Sequence, residues 1–175
     1  MPRLILASIA LLFIPTLALS QEEKVERKAI GSWELVCRIH STGQSCGIVQ
    51  QQATTSNDAR QRLLALELLP VPGGALQGSV ILPFGLELAR GVKITLGGEP
   101  GAAVPFKTCV PAGCVVSLNF SSASVQALAG ASEPLLMTVV SAEDGQERQF
   151  KVDLNGFSEA VREVREKSGS PAVAQ

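Results

Sequence analysis

The chain has 175 residues, 46% of them hydrophobic, and a net charge of −1, which is the length and apolar content of one ordinary domain with a real core. A nearly neutral surface excludes the electrostatic attraction on which nucleic acid and acidic membranes rely as partners. With no tyrosine and a single tryptophan, Trp33, the chain also lacks the flat aromatic platforms that bases or sugars need, and its few rings are expected in the core.

The first segment, MPRLILASIALLFIPTLALSQEEK, has one basic residue, Arg3, an apolar run over 4–14, then Pro15 and a small-residue site at Ala18-Leu19-Ser20. This pattern predicts a secretory signal peptide over 1–20, cut after Ser20. The run is shorter than the roughly 20 apolar residues that span a bilayer, and no cysteine follows it to carry lipid. Cleavage leaves 155 residues and, without Arg3, a charge of −2. Residues 21–29 read as a charged lead-in to a domain over 30–167.

From there the pattern is of short strands between turn residues. GSWELVCRIH predicts a strand over 32–39, STGQ a turn, and SCGIVQQQ a strand over 45–52, together a hairpin. QATTSNDARQ reads as polar loop, followed by strands over 62–69, 76–83 and 86–97, with Pro83 at a strand end and a bulge at Gly91. AVPFKTCV and CVVSLNF form the next hairpin, and LLMTVVSA with QERQFKVDL another around the turn EDGQ. This rhythm predicts a single antiparallel β-sandwich or barrel-like domain.

Two helices punctuate it. SSASVQALAG, near 121–129, has Ser121 or Ser122 as N-cap. A C-terminal helix over 158–167 aligns Phe157, Ala160, Val161 and Val164 on one face, with Arg162–Glu166 and Glu163–Lys167 pairs on the other. The tail over 168–175 is expected to be disordered.

Four cysteines in an exported chain predict a disulfide framework. Three connectivities are open to Cys37, Cys46, Cys109 and Cys114, and the turns favour local pairing, Cys37 with Cys46 and Cys109 with Cys114. A zinc site needs tighter, matched spacing than these cysteines show, with His40 as the one spare ligand. A redox pair would need a helix N-terminus after Cys114, where Val115-Val116 predict a strand instead.

Gly43-Gln44-Ser45-Cys46-Gly47 matches the G-x-S-x-G nucleophile elbow, but strand-like residues follow it and the one histidine, His40, precedes it. Glu143 and Asp144 fall in a turn, where no burial would split their pKa values for acid and base roles. Asn119-Phe120-Ser121 is a formal glycosylation sequon, relevant only in a eukaryotic exporter. The residues therefore predict no catalytic site, no metal and no cofactor.

Taken in order, SWELVC, SCGIVQQQ, LQGSVILPFGLELARGVKI, PFKTCVPAGCVV and KVDLNGFSEAV resemble the invasion associated locus B family of exported bacterial proteins. LPFG at 82–85, TCVPAGC at 108–114 and NGF at 155–157 carry the resemblance most specifically. It implies a mainly β, non-enzymatic protein of the periplasm, cell surface or secreted fraction, associated with invasion of host cells. The implied partner is an envelope or host-surface protein, with no nucleic acid and no stable membrane insertion after signal cleavage. The competing expectations are a periplasmic chaperone or inhibitor that pairs with a client strand and, more remotely, a serine hydrolase using Ser45.

Overall fold

The computed structural model describes residues 24–41, 43–56 and 59–169, so the expected signal peptide over 1–20 and most of the expected tail lie outside the described residues. Eleven strands and two helices appear among those described: β1 (Lys24–Ile30), β2 (Trp33–His40), β3 (Gly43–Ser56), β4 (Ala59–Pro70), β5 (Leu76–Leu82), β6 (Val92–Leu96), β7 (Glu99–Val104), β8 (Phe106–Val110), β9 (Gly113–Phe120), α1 (Ser122–Gly130), β10 (Leu135–Val140), β11 (Glu147–Val152) and α2 (Phe157–Ser168). They form two antiparallel sheets, one of seven strands in the order β1-β2-β3-β4-β5-β9-β8 and one of four in the order β11-β10-β6-β7. The sandwich-type, mainly β expectation holds, and neither sheet closes into a barrel.

Period-two patterning explains the large sheet. In β4, Leu64, Leu66 and Leu68 are buried, while Leu63, Ala65, Glu67 and Leu69 between them are only partly so. That alternation makes a leucine-rich run a strand and not a helix. The buried leucines stand opposite Gln52, Gln50 and Ile48 of β3. Beyond them lie Val80 and Gly78 of β5.

Helix α2 lies on the same inner face, against β2, β3 and β4. It buries Phe157, Ala160, Val161 and Val164, and these join Val92, Met137 and Val152 of the small sheet in one continuous core. Helix α1 starts at an N-cap from Ser121, whose hydroxyl accepts the Ser124 N–H.

Several local expectations differ. The lead-in supplies β1, an edge strand in full register with β2. The polar stretch around 52–61 extends β3 and β4 into a long hairpin, with a register shift between Gln52 and Ala53. The strand expected over 86–97 is a 3-10 turn at Leu88–Arg90 followed by β6. The run before Cys109 is two strands in different sheets, because the chain crosses from β7 to β8 at Pro105, where no N–H is available to continue a ladder. Arg162 pairs with Glu166 as expected, at 2.9 Å. Glu163 instead turns toward β1 and takes both contacts from Lys28 Nζ, at 2.6 and 2.8 Å, tying the edge strand to the helix.

Candidate interaction surface

All four cysteines are in disulfides. Cys37 stands directly opposite Cys46 on β2 and β3, and Cys109 opposite Cys114 on β8 and β9, and each of these cross-strand pairs is bonded. None is therefore a thiolate, and among the described residues no group of three or more His, Cys, Asp or Glu side chains is placed to hold a metal ion. The first bridge is buried in the core, whereas Cys109 is exposed on the edge strand of the second.

The elbow geometry is missing at Ser45. It sits within β3, paired with Arg38, and the strand continues through Cys46 and Gly47 with no turn into a helix. His40 is exposed at the end of β2, opposite Gly43. Glu143 is exposed in the β10–β11 turn. The neighbouring Asp144 is held below the ordinary aspartate pKa by the Gln146 N–H, then the Ser141 hydroxyl, and it also pairs with Arg148. An acid of that kind is a poor proton donor.

The DLNGF segment is a structural junction. Gln50, buried on β3, donates to the Asp153 carbonyl at 2.7 Å and accepts the Asp153 N–H at 3.0 Å. Trp33 Nε1 donates to the same carbonyl at 2.9 Å. Ser32 Oγ donates to the Asp153 carboxylate at 2.7 Å, and the Asn155 N–H donates to its other oxygen at 2.9 Å. Trp33 and Phe157 pack with ring centroids 5.1 Å apart. The β2 and β3 strands, the end of β11 and the start of α2 are thus fastened at one place, with Gln50, Trp33, Ser32 and Asp153 committed to the fold. Beside it, a groove of about 530 Å³ passes Ser132, Glu133, Lys151 and Asp153. Ser132 and Lys151 share its wall without a hydrogen bond between them, so no base is set against that hydroxyl.

The outer face of the seven-stranded sheet is different. Both helices and the small sheet lie on the inner side. Outside, a depression of about 210 Å³ has Val36, Val49, Ala65 and Ile81 in its lining, with Arg27, Arg38 and Arg62 around them. Val36 is 2% exposed although it points away from the core. It stands opposite Arg27, and long arginine stems cover aliphatic floors in this way while their charged heads stay in water. Arg27 pairs with Glu34 at 2.8 Å and Arg38 with Glu67 at 3.1 Å. Arg62 is exposed and makes no ion pair among the described residues, so the rim keeps a positive excess.

Sequence reasoning passed over this surface, yet a signal was present. Leu35-Val36, Ile48-Val49, Val80-Ile81 and Val115-Val116 are consecutive aliphatic pairs, and a strand that reads apolar at neighbouring positions is apolar on both faces. Phe84 was misplaced in the opposite sense. Expected in the core, it is 60% exposed, because β5 ends at Leu82 and the chain leaves the sheet before the ring.

Comparison with known proteins gives a consistent picture. The family profile described as invasion associated locus B (IalB) protein matches residues 33–165. An invasion protein B homolog of Brucella abortus (strain 2308) is 31% identical over 133 residues, 76% of this chain and 75% of that protein. Invasion protein B of Bartonella bacilliformis is 28% identical over 136 residues, 77% of this chain and 72% of that protein. The crystal structure of invasion associated protein B from Bartonella henselae superposes with a TM-score of 0.72 at 24% identity, covering 84% of this chain and 99% of that one. At that identity the likeness speaks for the fold.

Proposed function

Because the chain belongs to the invasion associated locus B family, we propose that it is an exported, non-enzymatic protein of the bacterial envelope or secreted fraction that works by binding another protein. The observation that carries this reading is the uncovered outer face of the seven-stranded sheet, where an aliphatic floor lies among arginines. A desolvatable apolar centre with a charged rim is the anatomy of a protein-binding surface, and arginine is prominent among residues that carry binding energy. The positive excess from Arg62 favours a partner surface that offers carboxylates.

Export is supported by the leader over 1–20 and by two disulfides, which persist in oxidising compartments. No helix among the described residues is long and apolar enough to cross a membrane. The names of the relatives in Brucella and Bartonella point to a role in invasion, and by likeness the partner is an envelope or host-surface protein. The strand-pairing alternative is disfavoured at β1 and β11, where exposed lysines, arginines and glutamates guard one edge of each sheet, which leaves β8 and β7 as the edges it could use.

The test is in-cell crosslinking from the outer face, with complementation of a deletion strain by Arg62→Glu and Ile81→Asp. Loss of a defined crosslinked partner together with loss of complementation supports the reading. Full complementation by both variants, folded normally, removes it.

A further inference from the structure

Strand β8 covers a neighbour that is poorly suited to be an edge. β9 reads GCVVSLNF, with no charged residue. It is apolar toward both sides: Cys114, Val116 and Leu118 are buried, and Val115 stands on the other face, opposite Ile81. The edge strands β1 and β11, in contrast, carry Lys24, Glu26, Arg27 and Lys28, and Glu147, Arg148 and Lys151. Natural sheets avoid leaving an uncharged apolar strand at an edge, because its free N–H and C=O groups pair with other chains.

The cover is held lightly. In β8 Phe106 is partly buried, while Lys107, Thr108, Cys109 and Val110 are exposed, so side-chain burial does little to keep the strand in place. Its ladder with β9 shifts register between Phe106 and Thr108, and Pro105 before it and Pro111 after it have no N–H to extend that ladder. β9 is fixed from its other side. It pairs with β5 without interruption from Leu76 opposite Phe120 to Leu82 opposite Cys114, and a Cβ on Gly113 would sit 2.3 Å from the Leu82 carbonyl oxygen. Beyond their short turn, the covalent tie between β8 and β9 is the Cys109–Cys114 bond.

That bond is open to attack from one side. Cys109 is exposed and Cys114 is 2% exposed, whereas both partners of Cys37–Cys46 are 3% exposed. Thiol–disulfide exchange depends on access to the sulfur attacked, so an incoming thiolate meets Cys109 Sγ. A bond forms between the incoming sulfur and Cys109, the Cys109–Cys114 bond breaks with its electron pair on Cys114, and Cys114 takes a proton from water. A second thiol, from the same reductant molecule or another, attacks the first reductant sulfur and releases Cys109, which takes up that thiol's proton. The reductant leaves as a disulfide, oxidised by two electrons, and the protein gains two thiols.

We propose that Cys109–Cys114 is an exchange site for a thiol reductant, and that opening it unlocks β8 and leaves β9 as a free edge of the large sheet. Phe106, packed against the core, is the hinge, and the exposed residues over 107–110 are the part that moves. The two cysteines face each other across the ladder, so exchange with a disulfide in the reverse direction closes the strap again. The outer-face binding reading neither requires this device nor supplies it.

Graded reduction of the purified exported chain with dithiothreitol, without denaturant, tests the proposal, read by iodoacetamide labelling with peptide mapping and by hydrogen exchange. Cys109 and Cys114 are expected to take label at reductant concentrations that leave Cys37–Cys46 closed. Amides over 107–110 should then exchange at least about tenfold faster, while those of β4 and β5 keep their protection. Cys109→Ala with Cys114→Ala should show the same fast segment without reductant; should that variant unfold, the wild-type comparison decides alone. Parallel arms with glutathione and with reduced thioredoxin distinguish a small thiol from a protein dithiol as the source, and opening by either supports the site. A glutathione adduct trapped on the way is expected on Cys109. An adduct on Cys114 overturns the proposal, as does a bond that opens no earlier than Cys37–Cys46. Unchanged exchange over 107–110 after opening, or protection lost across the whole domain, overturns it equally.

Discussion

Gly31, in the turn between β1 and β2, and Gly156, the N-cap of α2, lie backbone against backbone. A Cβ on Gly31 would sit 2.5 Å from the Asn155 carbonyl oxygen and 3.0 Å from the Gly156 Cα, and a Cβ on Gly156 would sit 2.5 Å from the Ile30 carbonyl oxygen and 3.0 Å from the Gly31 Cα. Both residues also have positive φ, 58° and 81°. Alanine at either position combines left-handed strain of about 1 kcal/mol with a clash against backbone that cannot step aside. Each single substitution is expected to cost at least about 2 kcal/mol, read as a lower urea midpoint at unchanged slope. A midpoint equal to the wild type would show that the turn and the helix cap separate without penalty.

Gln50 is 4% exposed and exchanges two hydrogen bonds with the backbone of Asp153. Gln50→Leu keeps the volume and strands the Asp153 N–H, for an expected loss of about 1–3 kcal/mol. Hydrogen exchange checks the local assignment: the Asp153 amide should lose protection relative to amides in β4. Equal protection in the variant would mean that water or another group takes over the bond.

How much of this was legible in the sequence varies with the physics. Strands with one apolar face were readable because side chains alternate across a sheet, and the stripe of α2 was readable because it repeats at helical spacing. The far arms of β3 and β4 were not: the sequence there shows no alternation of apolar and polar residues to distinguish a strand from a loop. Gln50 could not be picked out of Gln50-Gln51-Gln52, since only the fold decides which of three identical side chains turns inward. At Leu88–Arg90 an apolar alternation concealed a 3-10 turn, and at Phe84 residue type suggested burial where strand length forbade it.

The two disulfides should differ in consequence. Closing short loops of this kind contributes roughly 2 to 3 kcal/mol in the chain-entropy model. Cys109→Ser with Cys114→Ser is expected to cost about 2 kcal/mol, because Cys114 alone of that pair is buried, at 2% exposure. Cys37→Ala with Cys46→Ala should cost more, since both side chains are 3% exposed and their removal also leaves a cavity. Denaturant titration ranks the pairs, and mild reductant followed by thiol mapping should open the Cys109–Cys114 bond first. The reverse order would show that burial does not govern access to these bridges.

The Ser32–Asp153 latch gives a pH dependence. The Asn155 N–H, then the Ser32 hydroxyl, hold the Asp153 carboxyl below its ordinary 3.8. A depressed folded pKa contributes stability that is present above the unfolded value and is lost as pH falls through the folded one. Asp153→Asn should therefore be less stable than the wild type near neutrality, and the gap should narrow below about pH 4. The effect is small, because the carboxylate is exposed to solvent. Urea midpoints of both proteins between neutral pH and about pH 3 provide the check, and a gap that stays constant would assign the difference to packing.

The two phenylalanines differ in burial and therefore in what their removal should cost. Phe157 is 1% exposed and packs on Trp33, so Phe157→Ala is expected to cost about 3–5 kcal/mol, the usual loss for deleting a buried aromatic. Phe84→Ala should stay within about 0.5 kcal/mol of the wild type, because the ring is mostly in water already. Ser45→Ala and His40→Gln should likewise leave stability nearly unchanged. The four variants are compared by urea denaturation and by complementation of a deletion strain. Phe157→Ala should fail in both assays, and the Phe84, Ser45 and His40 variants in neither. A folded Ser45→Ala that cannot complement would move the working site to the Ser45 hydroxyl and reopen hydrolysis. A strongly destabilised Phe84→Ala would place that ring in the core after all.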